Sequence, residues 1–569
     1  MFTRAPASAE SSIRRYDTSV LACFAAIIAI TFLLRIWYAG SLYQDDGLWF
    51  TAAEEILRGK ALYREVFFDK PPVLPLVYAV LFKLLGAHIL TIRLFTVCYS
   101  ILISWLLYQF GSRLYNPRTG LVGGLMFAIF STTYISGDMQ SLNTEFLMAP
   151  FYIAAAFLLI HSCFGRERSR WLAFTGGLMA GIAFHINPKG AFDLIFIALL
   201  LIVGRSWDDA PLLKSARRAM KLFALAVAGL AVTSLPFLVY LIATESMSRY
   251  VLYVWTWGLG YSSYYPPARG ADIFLHYGTD YFLINNTLSL GLLVVVGITI
   301  GRRFSQTMRV EGKSREFFNT DGALLLWFAV SFAGVAAGGR FFAHYYFQII
   351  PGLCLIGSRG LLELFSWSKS RNQSAKAAVV ILLISGFGYT LIHTHRETAA
   401  LALDWMRGRP NKINRETRIA AAIVRDIPNP TDAVDRLGSE EIRSNGPRTR
   451  AAEPPADFLF VWGNWPEVYY WSGLIPASGY LSSQPLTGLP ADVWYGSEEY
   501  HLILDDKTTA ASRAELLRDL ERTPPRYIID ELGLRDARFS IRAYPELRDF
   551  MSKYERLTSD SSAPIYIRK

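Results

Sequence analysis

Runs of about twenty apolar residues, separated by short polar loops, recur along the first two thirds of the chain. A run of that length is long enough to cross the hydrocarbon layer as a helix. The runs fall near residues 18–39, 89–110, 119–135, 144–163, 171–186, 189–204, 220–242, 281–300, 321–337, 345–363 and 376–393, so about eleven spans are expected. Those beginning at 119, 171, 189 and 321 are short and carry glycine, which suits tilted or partly re-entrant helices. After His395 the pattern changes to prolines, charges and short apolar runs. The chain therefore reads as a multi-pass α-helical membrane bundle over residues 1–395, with a first outer loop at 41–88, followed by a soluble α/β domain over 396–569. Within the second part, 415–427 is helix-periodic and 428–456 is a polar, proline-rich loop. DFLFVWG at 457–463 and RYIID at 526–530 read as buried strands, with a helix over 514–522 before the second.

Charge orients the bundle. One set of loops carries Arg14 and Arg15, Arg113 and Arg118, Arg166 and Arg168, Arg205, Arg309 and Lys313, and Lys369 and Arg371. By the positive-inside rule these loops are cytoplasmic. The opposite set is acidic and aromatic and contains every candidate functional cluster, so those clusters and the domain after residue 395 are expected on the extracytoplasmic face of a plasma (inner) membrane. Of 569 residues 52% are hydrophobic and only 18% charged, and the net charge of +10 gathers in the inner loops. It reads as topology and attraction to anionic membrane lipid, with no nucleic-acid partner. Four cysteines stand singly in apolar segments and imply neither disulfides nor a metal site. The first span is too long for a signal-peptide core and is expected to be retained as an anchor.

Directly behind that span, LYQDDGLWFTAAEEILRGKALYREVFFDKPP places an acidic pair, an amphipathic helix and a Lys-Pro-Pro turn in one loop. Asp45 and Asp46 either cap the helix that starts near Gly47 or serve as a base or cation ligand. Pro71 and Pro72 hold the backbone at Lys70 extended, as suits a fixed anion contact. Arg93, Lys189 and Arg340 lie in or beside apolar spans, where long cations either snorkel to the interface or meet a buried partner. Asp138, Asn143 and Glu145 flank a short outer loop, where Glu145 is also a plausible helix cap. Tyr264 and Tyr265 sit in an aromatic loop that is either an interfacial belt or a platform for a sugar or isoprenoid. Gly339 to Tyr346 concentrates Arg340, His344 and Tyr345 at the rim of a span, a set suited to a lipid phosphate.

At these residues the chain resembles the polytopic GT-C glycosyltransferases, specifically the group of lipid-A aminoarabinose transferases, protein O-mannosyltransferases and rhizobial core-sugar transferases. The resemblance runs through QDDGLWFTAAEEILRGKALYREVFFDKPP, TIRLFTV, GIAFHINPKG, GGRFFAHYYFQIIPG, VWGNWPEVYYWSGLIPAS and PPRYIIDELG. It implies a GT-C fold and sugar transfer from a polyprenyl-phosphate donor on the outer leaflet to a lipid, glycan or protein acceptor. Asp45 matches the catalytic acid position, Asp46 stands where the group commonly has Glu, and Lys70 matches a lipid-phosphate contact.

The residues favour the same chemistry. Nucleotide sugars are absent outside the cytoplasm, so the activated sugar must ride on a lipid whose phosphate departs. Displacement then needs a base, assigned to Asp45 with Asp46, and cations for the phosphate, assigned to Lys70, Arg93, Lys189 and Arg340 with His344 and Tyr345. Asp138, Asn143, Glu145, Tyr264 and Tyr265 are expected on the substrates. Inverting single displacement is expected, with no cofactor, although the Asp45/Asp46 pair is also a conceivable divalent-cation ligand. A transporter or flippase of an anionic lipid-linked substrate is the competing class, disfavoured because the charged clusters gather at one face and no related halves are visible. A binding domain tethered by inert spans would leave the first-loop acids without a role. Topology is directly checkable: a cysteine placed within 305–315 should be shielded from impermeant thiol reagents and one within 430–450 should react, and the reverse pattern would put the acidic pair in the cytosol.

Overall fold

The computed structural model describes residues 7–135, 137–164, 170–204, 212–307, 315–407, 409, 413–426, 457–495, 500–558 and 563–569. The expected polar loop at 428–456, and Arg166, Arg168, Arg205, Arg309 and Lys313, lie outside the described residues.

Each predicted apolar segment falls on helix. In chain order the first nine helices are α1 (Ala7–Arg35), α2 (Gln44–Leu57), α3 (Val73–Leu85), α4 (Ile89–Leu114), α5 (Pro117–Phe130), α6 (Thr144–Phe164), α7 (Arg170–Ile186), α8 (Phe192–Gly204) and α9 (Leu212–Ala243). Local signals start several of them. Asn116 caps α5 by accepting from the Thr119 amide, with Pro117 in the first turn, and Asn372 likewise caps the helix Gln373–Thr394 through the Ala375 amide. Among the described residues five helices are long and apolar enough to cross a membrane: Thr18–Tyr38, Ile89–Leu114, Thr144–Cys163, Ala216–Ala243 and Gln373–Thr394.

The segment read as one span at 281–300 is instead broken. Pro267–Ile284 and Asn286–Arg302 meet at 91°. Asn285 leaves helical geometry there, and its side-chain amide donates to the Tyr281 carbonyl at 2.8 Å. An apolar pattern cannot register a corner whose polar groups are satisfied internally. Glycine also does different work from that expected: in α7 it permits close packing. A Cβ at Gly177 would sit 2.0 Å from the Ala226 carbonyl oxygen, and one at Gly181 would strike Thr233, so α7 and α9 approach backbone to backbone.

After the bundle, β1 (Phe458–Trp462), β2 (Ile475–Pro476), β3 (Tyr527–Asp530), β4 (Tyr554–Arg556) and β5 (Ile565–Arg568) form one sheet in the order β2-β1-β3-β5-β4. The two strands predicted from sequence are the adjacent, parallel and buried pair at its centre, with Leu459 opposite Tyr527. The other three are two to four residues long, too short for an alternating pattern to reveal. The helix expected over 514–522 begins earlier, at Asp506, because Asp505 caps it through the Thr508 amide.

This second part sits directly on the loop 41–88 and on the segment that follows α9. Phe67 donates its amide to the Gly479 carbonyl at 2.9 Å, Thr51 Oγ1 reaches the Pro466 carbonyl at 3.3 Å, and Arg249 pairs with Glu515 at 2.7 Å. Two glycines mark close approaches: a Cβ at Gly479 would lie 1.7 Å from the Glu65 carbonyl oxygen, and one at Gly47 would lie 2.7 Å from the Glu467 backbone nitrogen. Gly47→Ala should therefore loosen this docking, costing about 1–3 kcal/mol as an overpacked contact does. Limited proteolysis of the full chain should release the C-terminal part faster in the variant, and an unchanged cleavage rate would contradict the contact.

Candidate functional site

The junction encloses a cavity of about 1010 Å³, walled by the loop 41–88, the N-terminal ends of α6 and α8, the aromatic segment around Tyr261, the turn at His344 and the C-terminal part. Asp45 and Asp46 both stand in the first turn of α2, where carboxylates are favoured by the helix dipole, yet the helix has no side-chain cap and the two acids diverge. Asp45 is exposed to the cavity, and among the described residues its carboxylate accepts no hydrogen bond. Burial pushes its pKa up to about 6, against the pull of the nearby His344 charge.

Asp46 turns the other way and is completely buried. It receives Arg93 Nη2 at 2.6 Å and the Tyr78 hydroxyl at 3.0 Å. Arg93 also donates to the Ser41 carbonyl at 2.7 Å and the Gln140 carbonyl at 3.0 Å. This corrects two sequence expectations. Asp46 and Arg93 satisfy each other inside the protein and do not line the cavity, so they are not available to a proton or a lipid phosphate within it. Nor do Asp45 and Asp46 converge on a common cation.

The remaining cations are distributed unevenly. Lys70 lines the cavity and contacts Asp69 at 3.0 Å; Tyr63 fixes its backbone by donating to the Lys70 carbonyl at 2.8 Å. Burial works against the Lys70 charge, but Asp69 and the Tyr261 phenol outweigh it and raise the pKa above the usual lysine range. Lys189, in the turn that Asn187 caps, meets Glu145 at 2.9 Å and lies 3.1 Å from the centre of the Tyr345 ring. Burial lowers its pKa, with Glu145 opposing that shift. His344 Nδ1 sits 2.9 Å from Asp138, which also accepts the His344 amide at 3.0 Å. Despite the cost of burial, the Asp138 carboxylate raises the His344 pKa to about 9, so the imidazole is charged at neutral pH.

Arg340 does not line the cavity. It stacks on Tyr261 at 3.6 Å and pairs with Asp492 at 2.9 Å, held in place by a turn with positive φ at Gly338, Gly339 and Phe341. Tyr265 also donates to Asp492, while Tyr264 stacks on His501 at 4.0 Å. Both tyrosines thus join the bundle to the C-terminal part, as neither an interfacial belt nor a sugar platform. Asn143 is buried and accepts the Phe146 amide at the start of α6. The cavity therefore gathers Asp45, Lys70, Asp138, Glu145, Lys189, His344 and Tyr345 from the predicted set, and it adds Asp69, Tyr261, Glu467 and Asp492. The sequence signal for Asp69 was its place beside Lys70. For Glu467 it was a lone acid among aromatic residues in WGNWPEVYYW. Among the described residues no cluster of three or more His, Cys, Asp or Glu has a metal-holding arrangement.

Residues 69–237, from the Asp69-Lys70 turn into α9, match the family model described as dolichyl-phosphate-mannose-protein mannosyltransferase. No curated protein matches the chain by sequence. The structure is similar to that of the archaeal oligosaccharyltransferase AglB from Archaeoglobus fulgidus, solved with an inhibitory peptide and a dolichol-phosphate. The TM-score is 0.51 at 12% identity, covering 97% of this chain and 74% of that one. It is similar also to ArnT from Cupriavidus metallidurans bound to undecaprenyl phosphate, with TM-score 0.52 and 14% identity over 96% of this chain and 98% of that one. The fold is that of the GT-C glycosyltransferases. Both of these relatives were solved with a polyprenyl or dolichyl phosphate, and the apo form of AglB matches equally well, at TM-score 0.51.

The Asp46–Arg93 pair gives a clean test of structural against chemical roles. Removing one member of a buried ion pair costs about 3–5 kcal/mol. Arg93→Met should therefore lower the thermal midpoint of the detergent-solubilised protein sharply, and Arg93→Met with Asp46→Leu should recover much of the loss. A variant as stable as the wild type would contradict the placement.

Proposed function

We propose that the protein is an integral-membrane glycosyltransferase that moves a sugar from a polyprenyl-phosphate donor to an extracytoplasmic acceptor by inverting single displacement. The observation that carries this reading is the cavity itself, in which an unpaired carboxylate, Asp45, faces lysines and a charged imidazole within a GT-C fold. In the reaction the acceptor hydroxyl oxygen bonds to the anomeric carbon as the bond from that carbon to the phosphate oxygen breaks. The bonding pair leaves with the phosphate, and the hydroxyl proton passes to Asp45. Lys70, Lys189 and His344 stabilise the departing phosphate, whose additional negative charge develops fully only as it leaves. Arg340 acts at one remove by fixing Tyr261, and Asp46 with Arg93 fixes the first turn of α2 that carries Asp45.

The fit of Asp45 to a base lies in its pKa near 6 and in its having no hydrogen-bond partner among the described residues. It is mostly ionised at neutral pH, yet a better proton acceptor than an ordinary aspartate. The donor lies on the outer leaflet of a plasma membrane, in agreement with the loop charges and with the relatives solved with lipid phosphates. A flippase is the weaker reading, because each cavity lysine is held against an acid at one end of the bundle.

Asp45→Asn keeps the shape but removes the base. It should lower transfer from a labelled polyprenyl-phosphate sugar by about 10²- to 10⁴-fold while leaving donor binding near normal. In the wild type the rate should rise with pH through about 6, as Asp45 ionises, and fall above about 9, as His344 loses its proton. Asp45→Asn activity near that of the wild type would remove Asp45 from the chemistry. A pH profile flat from 5 to 7 would do the same.

A further inference from the structure

The geometry points to an acceptor subsite supplied by the C-terminal part, built on Glu467 beside Asp45, whose ligand is a carbohydrate carrying neighbouring hydroxyl groups. This inference rests on the glycosyl-transfer reading and names the acceptor class for it. Glu467 lines the same cavity as Asp45 but comes from a different part of the chain, brought there by the close approach of its backbone to Gly47, two residues from Asp45. Its side chain is only 2% exposed, and its Oε2 has no hydrogen-bond partner among the described residues. A buried polar atom at a cavity wall without a protein partner calls for one from the ligand. Burial, with Glu531 and Asp45 nearby, raises its pKa to about 8, so at neutral pH the carboxyl both donates and accepts.

Two carboxyl groups on one wall, one ionised and one protonated, suit two hydroxyls of one sugar ring: the reacting hydroxyl on Asp45 and a neighbour on Glu467. Asn464 and Gln484, two neutral polar residues, line the same cavity. A serine or threonine side chain has a single hydroxyl and would leave Glu467 unpaired. A phosphorylated acceptor would compete for Lys70 and Lys189, which the glycosyl-transfer reading assigns to the donor phosphate. The C-terminal wall adds the acids Glu467 and Asp492.

The test uses the purified full-length protein, polyprenyl-phosphate monosaccharides as donor probes, and two acceptor probes: a panel of p-nitrophenyl glycosides and a threonine-containing peptide. Transfer to a glycoside is expected. Glu467→Ala should raise the KM for that glycoside about three- to tenfold, as loss of one or two neutral hydrogen bonds does, with the donor KM unchanged. Glu467→Gln, which also donates and accepts, should stay within about twofold of the wild type. The Gln variant guards against misfolding as the cause of the Ala effect, since a merely structural defect would move the donor KM as well. Transfer to the peptide, or to water alone, with no glycoside accepted would overturn this inference and leave the glycosyl-transfer reading standing. So would an Ala variant with an unaltered glycoside KM, or a Gln variant no better than Ala. A wild type that transfers sugar from no donor to any acceptor would overturn both.

Discussion

The buried pair between Asp46 and Arg93 is the contact on which the site's geometry rests. Arg93 rises from the first turn of α4, and its guanidinium gathers the carbonyls of Ser41 and Gln140 as well as the Asp46 carboxylate. Tyr78 of α3 completes the set on the other carboxylate oxygen. One cation thus ties the end of the first span, the start of α2, the outer loop before α6 and two further helices into a single arrangement. A pair so completely removed from water is stabilising only because its hydrogen-bonding capacity is filled. Its result is directional: with Asp46 locked inward, its neighbour Asp45 has only the cavity to face.

That carboxylate shares the cavity with a set of balanced charges. Lys70 leans on Asp69, Lys189 on Glu145, and His344 on Asp138. Such pairing keeps cations charged in a poorly solvated place and prepares them to take up an incoming anion without burying a bare charge. The C-terminal part is part of the same enclosure, since Asp492 holds Arg340 against Tyr261 and Glu467 stands behind Gly47. The glycosyl-transfer proposal accordingly treats the bundle and the sheet-bearing part as one catalytic unit.

Much of this was legible in the sequence, for identifiable reasons. Apolar run length located the helices, and the acidic pair, the Lys-Pro-Pro turn and the Asn-Pro-Lys turn stood out because charges beside membrane spans are costly unless used. What a linear pattern cannot say is which charge answers which. Asp45 and Asp46 are chemically alike and adjacent, and only the side of α2 on which each emerges separates a cavity acid from a buried partner. Arg93 and Arg340 looked like phosphate ligands for the same reason: a cation in an apolar stretch announces a partner without naming it. Glu467 gave only a faint signal and Asp492 none, because their importance arises from contacts with segments distant in the chain, Gly47 for the one and Arg340 for the other. The corner at Asn285 was hidden because its polar groups are satisfied inside the protein, by the Tyr281 carbonyl and by the distant Thr133 hydroxyl.

The central claim, direct displacement of a lipid phosphate by an acceptor activated at Asp45, is tested most directly by following the anomeric carbon. A polyprenyl-phosphate sugar labelled with ¹³C at that carbon would be incubated with the purified protein and an accepted acceptor, and the product examined by NMR. The account predicts that the label leaves the phosphate and appears in a glycoside of opposite anomeric configuration. A product of retained configuration, or label that stays on the lipid phosphate, would contradict it.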